Sequence, residues 1–193
     1  MADNKESIRE KIITIADDLF YRNGYIQTSF SDISEAVGIS RGNFYYHFKT
    51  KDEILGEVIN VRMANVQNML DQWEVEGKKP EDRIQSFINI LNMNRVDIKR
   101  HGCPLGTLCT ELAKLDHDSQ EEANRLFTLV RTWLRKQFTL LGHKKDADNL
   151  AMHLIARSQG VATLASAFHD EKFIKNEVKQ MSDWLKSYIN KTV

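Results

Sequence analysis

Long apolar runs are missing from this chain. No stretch approaches the roughly 20 residues a membrane-spanning helix needs, so nothing in the sequence reads as a bilayer anchor. The polar opening MADNKESIREK fits neither a signal nor a transit peptide. The expected location is therefore cytoplasmic. Net charge is also missing, with 27 basic residues against 27 acidic ones. A bulk basic surface thus cannot drive binding to nucleic acid, and any such contact must come from a local site. Only two cysteines occur, Cys103 and Cys109. That number excludes a disulfide framework and a cysteine metal cluster. Their six-residue separation sets them apart around a helix, against a bridge between them. Only two prolines, Pro80 and Pro104, interrupt the chain. Long stretches free of Gly and Pro point to an all-α fold.

The signatures of catalysis are absent too. The sequence holds no Glu-x-x-His or His-Glu-x-x-His pair, no phosphate-binding loop, no Gly-x-Ser-x-Gly and no dinucleotide fingerprint. Its six histidines are scattered singly. The expectation is a protein that is not an enzyme, with no cofactor, no metal site and no catalytic residue.

What is present is helical periodicity. Ile8, Ile12, Ile15, Ala16, Leu19 and Phe20 form one stripe at i, i+4, i+7 spacing. Ser7 with Glu10 can box its start, and Asn23-Gly24 can end it, giving a first helix from about Asn4 to Arg22. Ser29 with Asp32 starts a short second helix that Gly38 stops, and Ser40 can cap a third running from Arg41 to about Phe48. Thr50 with Glu53 opens a long fourth helix ending at Gly77. Pro80 suits the first turn of a fifth, closed by His101-Gly102. Four more follow: a short one around Leu105–Leu112, one from Ser119 to Gly142, and two over about 146–168 and 171–190. About nine helices and no strand are expected.

The informative stretch is Gly24 to Glu53. Two short helices joined by a tight turn at Val37-Gly38-Ile39 make a helix-turn-helix, whose second helix enters the major groove. Thr28, Ser29 and Ser40 put hydroxyls at helix N-termini, which attract phosphate. Arg41, Gly42 and Asn43 occupy the turn that reaches base edges. There Arg pairs with guanine and Asn with adenine through two hydrogen bonds each, and Gly lets backbone approach closely. Tyr45, His47, Lys49 and Lys51 supply polar tips along the helix and past its end, while Phe44 and Phe48, four residues apart, anchor the opposite side.

These residues resemble the signature of the TetR (tetracycline-repressor-like) family. The pattern reads Gly24-Tyr25, Thr28-Ser29, Ile33, Gly38, then Ser40-Arg41-Gly42-Asn43-Phe44-Tyr45-Tyr46-His47-Phe48 and Lys49-Thr50-Lys51-Asp52-Glu53. Ser29 stands where the family often has Thr, Ser34 where it has Ala, and Arg41 where Lys is common. The resemblance implies that Thr28, Ser40, Tyr45, His47 and Lys51 hold phosphates, and that Arg41, Gly42 and Asn43 lie at or near bases. Ser29 and Tyr46 complete the candidate interface. It further implies a DNA-binding domain over 1–49 and a ligand-binding and dimerisation domain over 50–193. An inducer pocket would lie among the fourth to eighth helices, with Trp73, Phe87, Met93, Leu108, Cys109, Phe127 and Trp133 as candidate lining. The last two helices would meet their copies in a homodimer. The implied function is a repressor that a small molecule releases from a palindromic operator. Alternatives are an activator, a redox or electrophile sensor using Cys103 near a helix N-terminus, and a helical interaction protein that binds no DNA.

Overall fold

The structure is a computed structural model and describes residues 7–189. Helix α1 runs over Ile8–Asn23, α2 over Phe30–Val37, α3 over Arg41–His47, α4 over Lys51–Glu76 and α5 over Pro80–Met93. Then come α6, Arg95–His101; α7, Pro104–Lys114; α8, Gln120–Leu140; α9, Ala147–Phe168; and α10, Glu171–Ile189. Among the described residues every regular element is a helix. The tenth segment arises because the expected fifth helix breaks at Asn94, whose φ of −98° and ψ of 15° leave the helical basin. The expected starts and ends at Asn4 and Asn190 lie outside the described residues. No described helix is long and apolar enough to cross a membrane.

Two compact units divide the chain. The first takes residues 1–64 and 107–124, the second 65–106 and 125–193. In the first, the α1 stripe buries Ile12, Ile13, Ala16 and Phe20. It packs with α2, and both α2 (Ile33, Val37) and α4 (Ile54, Leu55, Val58, Ile59) bury apolar faces as well. Burying such aliphatic side chains stabilises a fold by about 1.5–3 kcal/mol each relative to exposure. The helix starts are fixed by local chemistry. Ser7 Oγ accepts from Glu10 N while Ser7 N donates to the Glu10 carboxylate, and Ser29 and Asp32 repeat the arrangement. At α4, Thr50 Oγ1 accepts from Glu53 N, but the Glu53 carboxylate reaches back one residue further, to Lys49 N.

In the second unit, α10 packs on α5, α6 and α9. Its buried residues Ile174, Val178, Met181 and Leu185 recur at helical spacing. A charged cluster joins α4, α5 and α8. Glu74 pairs with Arg83 at 3.0 Å and Lys136 at 3.0 Å, and it accepts from the fully buried Gln137 at 2.6 Å.

Candidate nucleic-acid interface

Between α2 and α3 the chain must reverse within three residues. Gly38 does this at φ 77°, ψ 38°, a left-handed conformation that costs glycine little. Its N–H donates to the Ser34 and Glu35 carbonyls, and Ile39 N follows to Ser34 at 3.2 Å. Lys11 Nζ holds the turn from α1 through the Val37 carbonyl at 2.9 Å. Ser40 Oγ then caps α3 by accepting from Asn43 N.

Helix α3 is seven residues long, too short to be stable alone. Its inner side supplies what propensity does not. Phe44 and Phe48 are 1% and 2% exposed. Phe30 meets Phe44 edge-on at 5.0 Å and stacks on Tyr45 at 5.5 Å, and the Arg9 guanidinium lies 4.9 Å from the Phe48 ring centre. The outer side stays in solvent. Arg41, Gly42, Asn43, Tyr45 and Tyr46 are exposed together with Ser29 and Ser40, and His47 is half-buried. Arg41 rests on Ser31 through a single 3.1 Å bond. Of the ten expected residues, seven are exposed and His47 is half-buried.

Thr28 and Lys51 bond inward, to the backbone. Thr28 is fully buried, and its hydroxyl donates to the Gly24 carbonyl at 2.8 Å. Lys51 Nζ donates to the carbonyls of Tyr25 and Thr28 at 2.8 and 3.1 Å, and it sits 4.1 Å from the Tyr25 ring centre. Burial lowers its pKa, opposed by the nearby carboxylates of Asp52 and Glu111. Both side chains satisfy backbone carbonyls of the 24–28 turn, Thr28 from a fully buried and Lys51 from a half-buried position.

That turn is anchored at several points. The Tyr25 hydroxyl donates to the Asp52 carboxylate. Ser119 N donates to His117 Nδ1, so a neutral ring carries its hydrogen on Nε2, 3.3 Å from the Tyr25 oxygen. Burial first, then the Asp52 and Glu111 charges, push the Tyr25 phenol far above its ordinary pKa and keep it a donor. Glu111, on α7, accepts from the backbone N–H of both Tyr25 and Ile26 at 2.9 Å. Sequence reasoning missed Glu111 and His117. They lie about 90 residues downstream, and no local pattern announces a glutamate that ligates a distant loop.

The candidate ligand-lining residues divide between the units. In the second, Trp73 and Trp133 pack at 5.7 Å with ring planes 53° apart, Phe87 is buried and Phe127 is half-buried. The Trp133 indole N–H is buried with no acceptor among the described residues. Met93 differs from the other candidates: at the end of α5 it is 75% exposed. Leu108 and Cys109 belong to the core of the first unit, where Cys109 Sγ donates to the Ala123 carbonyl at 3.4 Å. Neither Cys103 nor Cys109 is in a disulfide. Cys103 Sγ, half-buried, accepts from Gln159 Nε2.

On α9 the exposed positions Met152, Ala156, Gly160, Thr163, Leu164 and Ala167 follow helical spacing and carry no formal charge. The exposed side of α10 differs, bearing Lys172, Lys175, Lys179, Asp183 and Lys186.

Comparison with known proteins places this geometry. Residues 12–58 match the family model described as bacterial regulatory proteins, tetR family. Residues 80–180 match that of the transcriptional regulator LmrA/YxaF-like C-terminal domain. The HTH-type transcriptional regulator TtgR of Pseudomonas putida is 33% identical over 169 residues, 82% of this chain and 80% of that protein. An uncharacterised HTH-type transcriptional regulator of Lactococcus lactis is 29% identical over 171 residues, 86% and 87% of the two chains. Among solved structures, a TetR transcriptional regulator from Legionella pneumophila matches with a TM-score of 0.82 and 25% identity, covering 94% of this chain and 98% of that one.

Proposed function

The chain belongs to the TetR family of bacterial transcription regulators, which are DNA-binding proteins and not enzymes, and we propose that it is a repressor that grips a palindromic operator as a homodimer and leaves it when a small molecule binds. One observation carries the reading: α3 presents Arg41, Gly42, Asn43, Tyr45 and Tyr46 outward from a pair of buried phenylalanines. A short rod with polar tips on one side and an apolar root on the other can seat in a groove without unfolding. Arg41 and Asn43 are the base readers. Ser29, Ser40, Tyr45, Tyr46 and His47 contact the phosphates and sugars that set register. Thr28 and Lys51 contribute by holding the 24–28 turn.

Reading a palindrome requires two such rods about one helical turn apart, hence a two-fold dimer. The uncharged outer face of α9 suits that contact, and the charged face of α10 suits its solvated margin. By task, residues 1–49 carry the DNA-contacting surface and 50–193 the ligand and dimer surfaces, with Lys51 supporting the first from outside it. The protein works in the cytoplasm, where its DNA is. Trp73, Phe87, Phe127 and Trp133 are the lining residues that favour a flat, largely apolar inducer. Release follows if that inducer binds better to a conformer whose rods are wrongly spaced.

Hydroxyl-radical footprinting on the duplex upstream of its own gene tests the dimer reading, with two protected blocks one turn apart expected. A reporter on the same promoter tests the direction. Expression should rise when the protein is removed, and a fall would make it an activator. A panel of flat aromatic compounds should release the duplex through the Trp73–Trp133 pair. Undiminished binding at every concentration would count against ligand release.

A further inference from the structure

Glu111 does something no motif of the DNA-binding segment calls for. It sits on α7, 85 residues beyond Ile26. Its two carboxylate oxygens take one N–H each: Oε2 from Tyr25 and Oε1 from Ile26, both at 2.9 Å. Such bonds to an ionised acceptor are the strong kind. The backbone is shaped to receive the carboxylate. Gly24 adopts φ +89°, and a Cβ there would stand 3.1 and 3.2 Å from the two Glu111 oxygens. Any side chain at position 24 would therefore crowd the clamp as well as strain the backbone. The Tyr25 ring is fixed at the same point by Phe20 and His117, edge-on at 5.3 and 5.2 Å. Three residues further on, Thr28 leads into the Ser29 cap of α2.

We propose that Glu111 is a positioning residue for DNA binding: by clamping the Tyr25 and Ile26 amides it sets the 24–28 turn, and through it the placement of α2 and α3. The inference rests on the reading that α3 seats on duplex DNA. Glu111 itself touches no phosphate, and a carboxylate at the duplex would repel it. Its effect must pass through the turn. Without the clamp, two N–H groups lose their partner, and the turn samples conformations in which the start of α2 is displaced.

The test measures operator affinity and its salt dependence for the parent, Glu111→Gln and Glu111→Ala, all as full chains. Backbone amide exchange is followed in parallel. Glu111→Ala should weaken operator binding by about 10- to 100-fold, the loss expected when charge-assisted hydrogen bonds are broken. Glu111→Gln should fall between, because an amide oxygen accepts one bond while its NH₂ faces the other donor. The slope of log affinity against log salt should not change, since no phosphate contact is removed. Exchange should accelerate at Tyr25 and Ile26 and stay slow through Ile12–Phe20. A merely structural role would accelerate exchange throughout the unit. Parent-like affinity in both variants, or exchange that rises everywhere alike, overturns the proposal. A parent protein that binds the upstream duplex no better than a scrambled one overturns the reading beneath it, and that result is distinguishable from the first two.

Discussion

Both compact units use ion pairs, Arg62 with Asp17 and Arg9 with Glu57 in the first among them, and they differ in where polar side chains meet the backbone. In the first, polar side chains are matched to backbone groups: Ser7, Ser29, Ser40 and Thr50 cap helix starts, Lys11 and Lys51 take up carbonyls, and Glu111 takes up amides. In the second, backbone-directed bonds such as Ser158 to the Ile155 carbonyl and Ser182 to the Val178 carbonyl stay within a helix, and side-chain pairs join helices, as in Glu74 with Arg83, Lys136 and Gln137, or Arg157 with Glu177. Backbone-directed bonds fix where short helices begin and how the chain turns, and they leave the outer side of α3 exposed, with Arg41 resting on Ser31. Side-chain pairs hold long helices at chosen registers and leave the backbone indifferent. A surface that must present groups to a partner gains from the first arrangement, and a helical body that packs on itself gains from the second.

The contrast can be broken most forcefully at Phe44. It is the root of α3 and nearly inaccessible, so Phe44→Ala should cost about 3–5 kcal/mol. Thermal melts should show that loss, and operator binding should vanish with it. A variant that melts lower but binds as before would mean that α3 is not the binding element. Next in size is Asn43→Ala, on the exposed side. It should leave the melting temperature unchanged and reduce discrimination at one base pair by about 1–3 kcal/mol. Competition with duplexes altered one pair at a time reads this directly.

Most of the first unit could be read from the sequence because its determinants are local. Ser7 with Glu10 and Ser29 with Asp32 are three residues apart, Gly38 and Ser40 punctuate the turn, and Phe44 with Phe48 share a helix face. Each bond joins neighbours in the chain, so spacing alone foretells it. Thr28 reaches the carbonyl of Gly24 four residues back, whereas Lys51 reaches those of Tyr25 and Thr28, which only the folded chain brings near. Glu111 and His117 were invisible because their partners lie in the distant 24–28 turn. In the second unit the apolar periodicity gave the helices but not their lining. Met93 lies half a turn away from the Ile84, Phe87, Ile88 and Leu91 stripe of α5 and is exposed, and the sequence offers no sign that the long fifth helix breaks at Asn94.

Smaller effects sharpen the comparison through pH. Burial opposes ionisation of Glu74, but hydrogen bonds from Lys136 and Gln137 and the charges of Lys136 and Arg83 outweigh it, holding its pKa below the usual 4.5. A carboxyl whose pKa is lower folded than unfolded stabilises the fold at pH above its unfolded value and loses that contribution as pH falls through the folded one. The melting temperature should therefore drop as acidity increases below about pH 4.5. Glu74→Gln should melt lower at neutral pH and show a flatter acid limb. An unchanged acid limb would remove the side-chain cluster from the account of the second unit. The smallest change expected is Ser7→Ala, which removes one cap from α1 and should cost about 1 kcal/mol. Base preference should stay the same, since Ser7 lies outside the α2–α3 surface.

The central claim is that the outer face of α3 reads double-stranded DNA. Fluorescence anisotropy of a labelled upstream duplex, titrated with the parent and with Arg41→Ala over a range of salt concentrations, tests it most directly. The account predicts steeply salt-dependent binding by the parent and a strong preference over scrambled duplex, with that preference reduced by Arg41→Ala. Salt-independent binding, or identical discrimination by the two proteins, would contradict it.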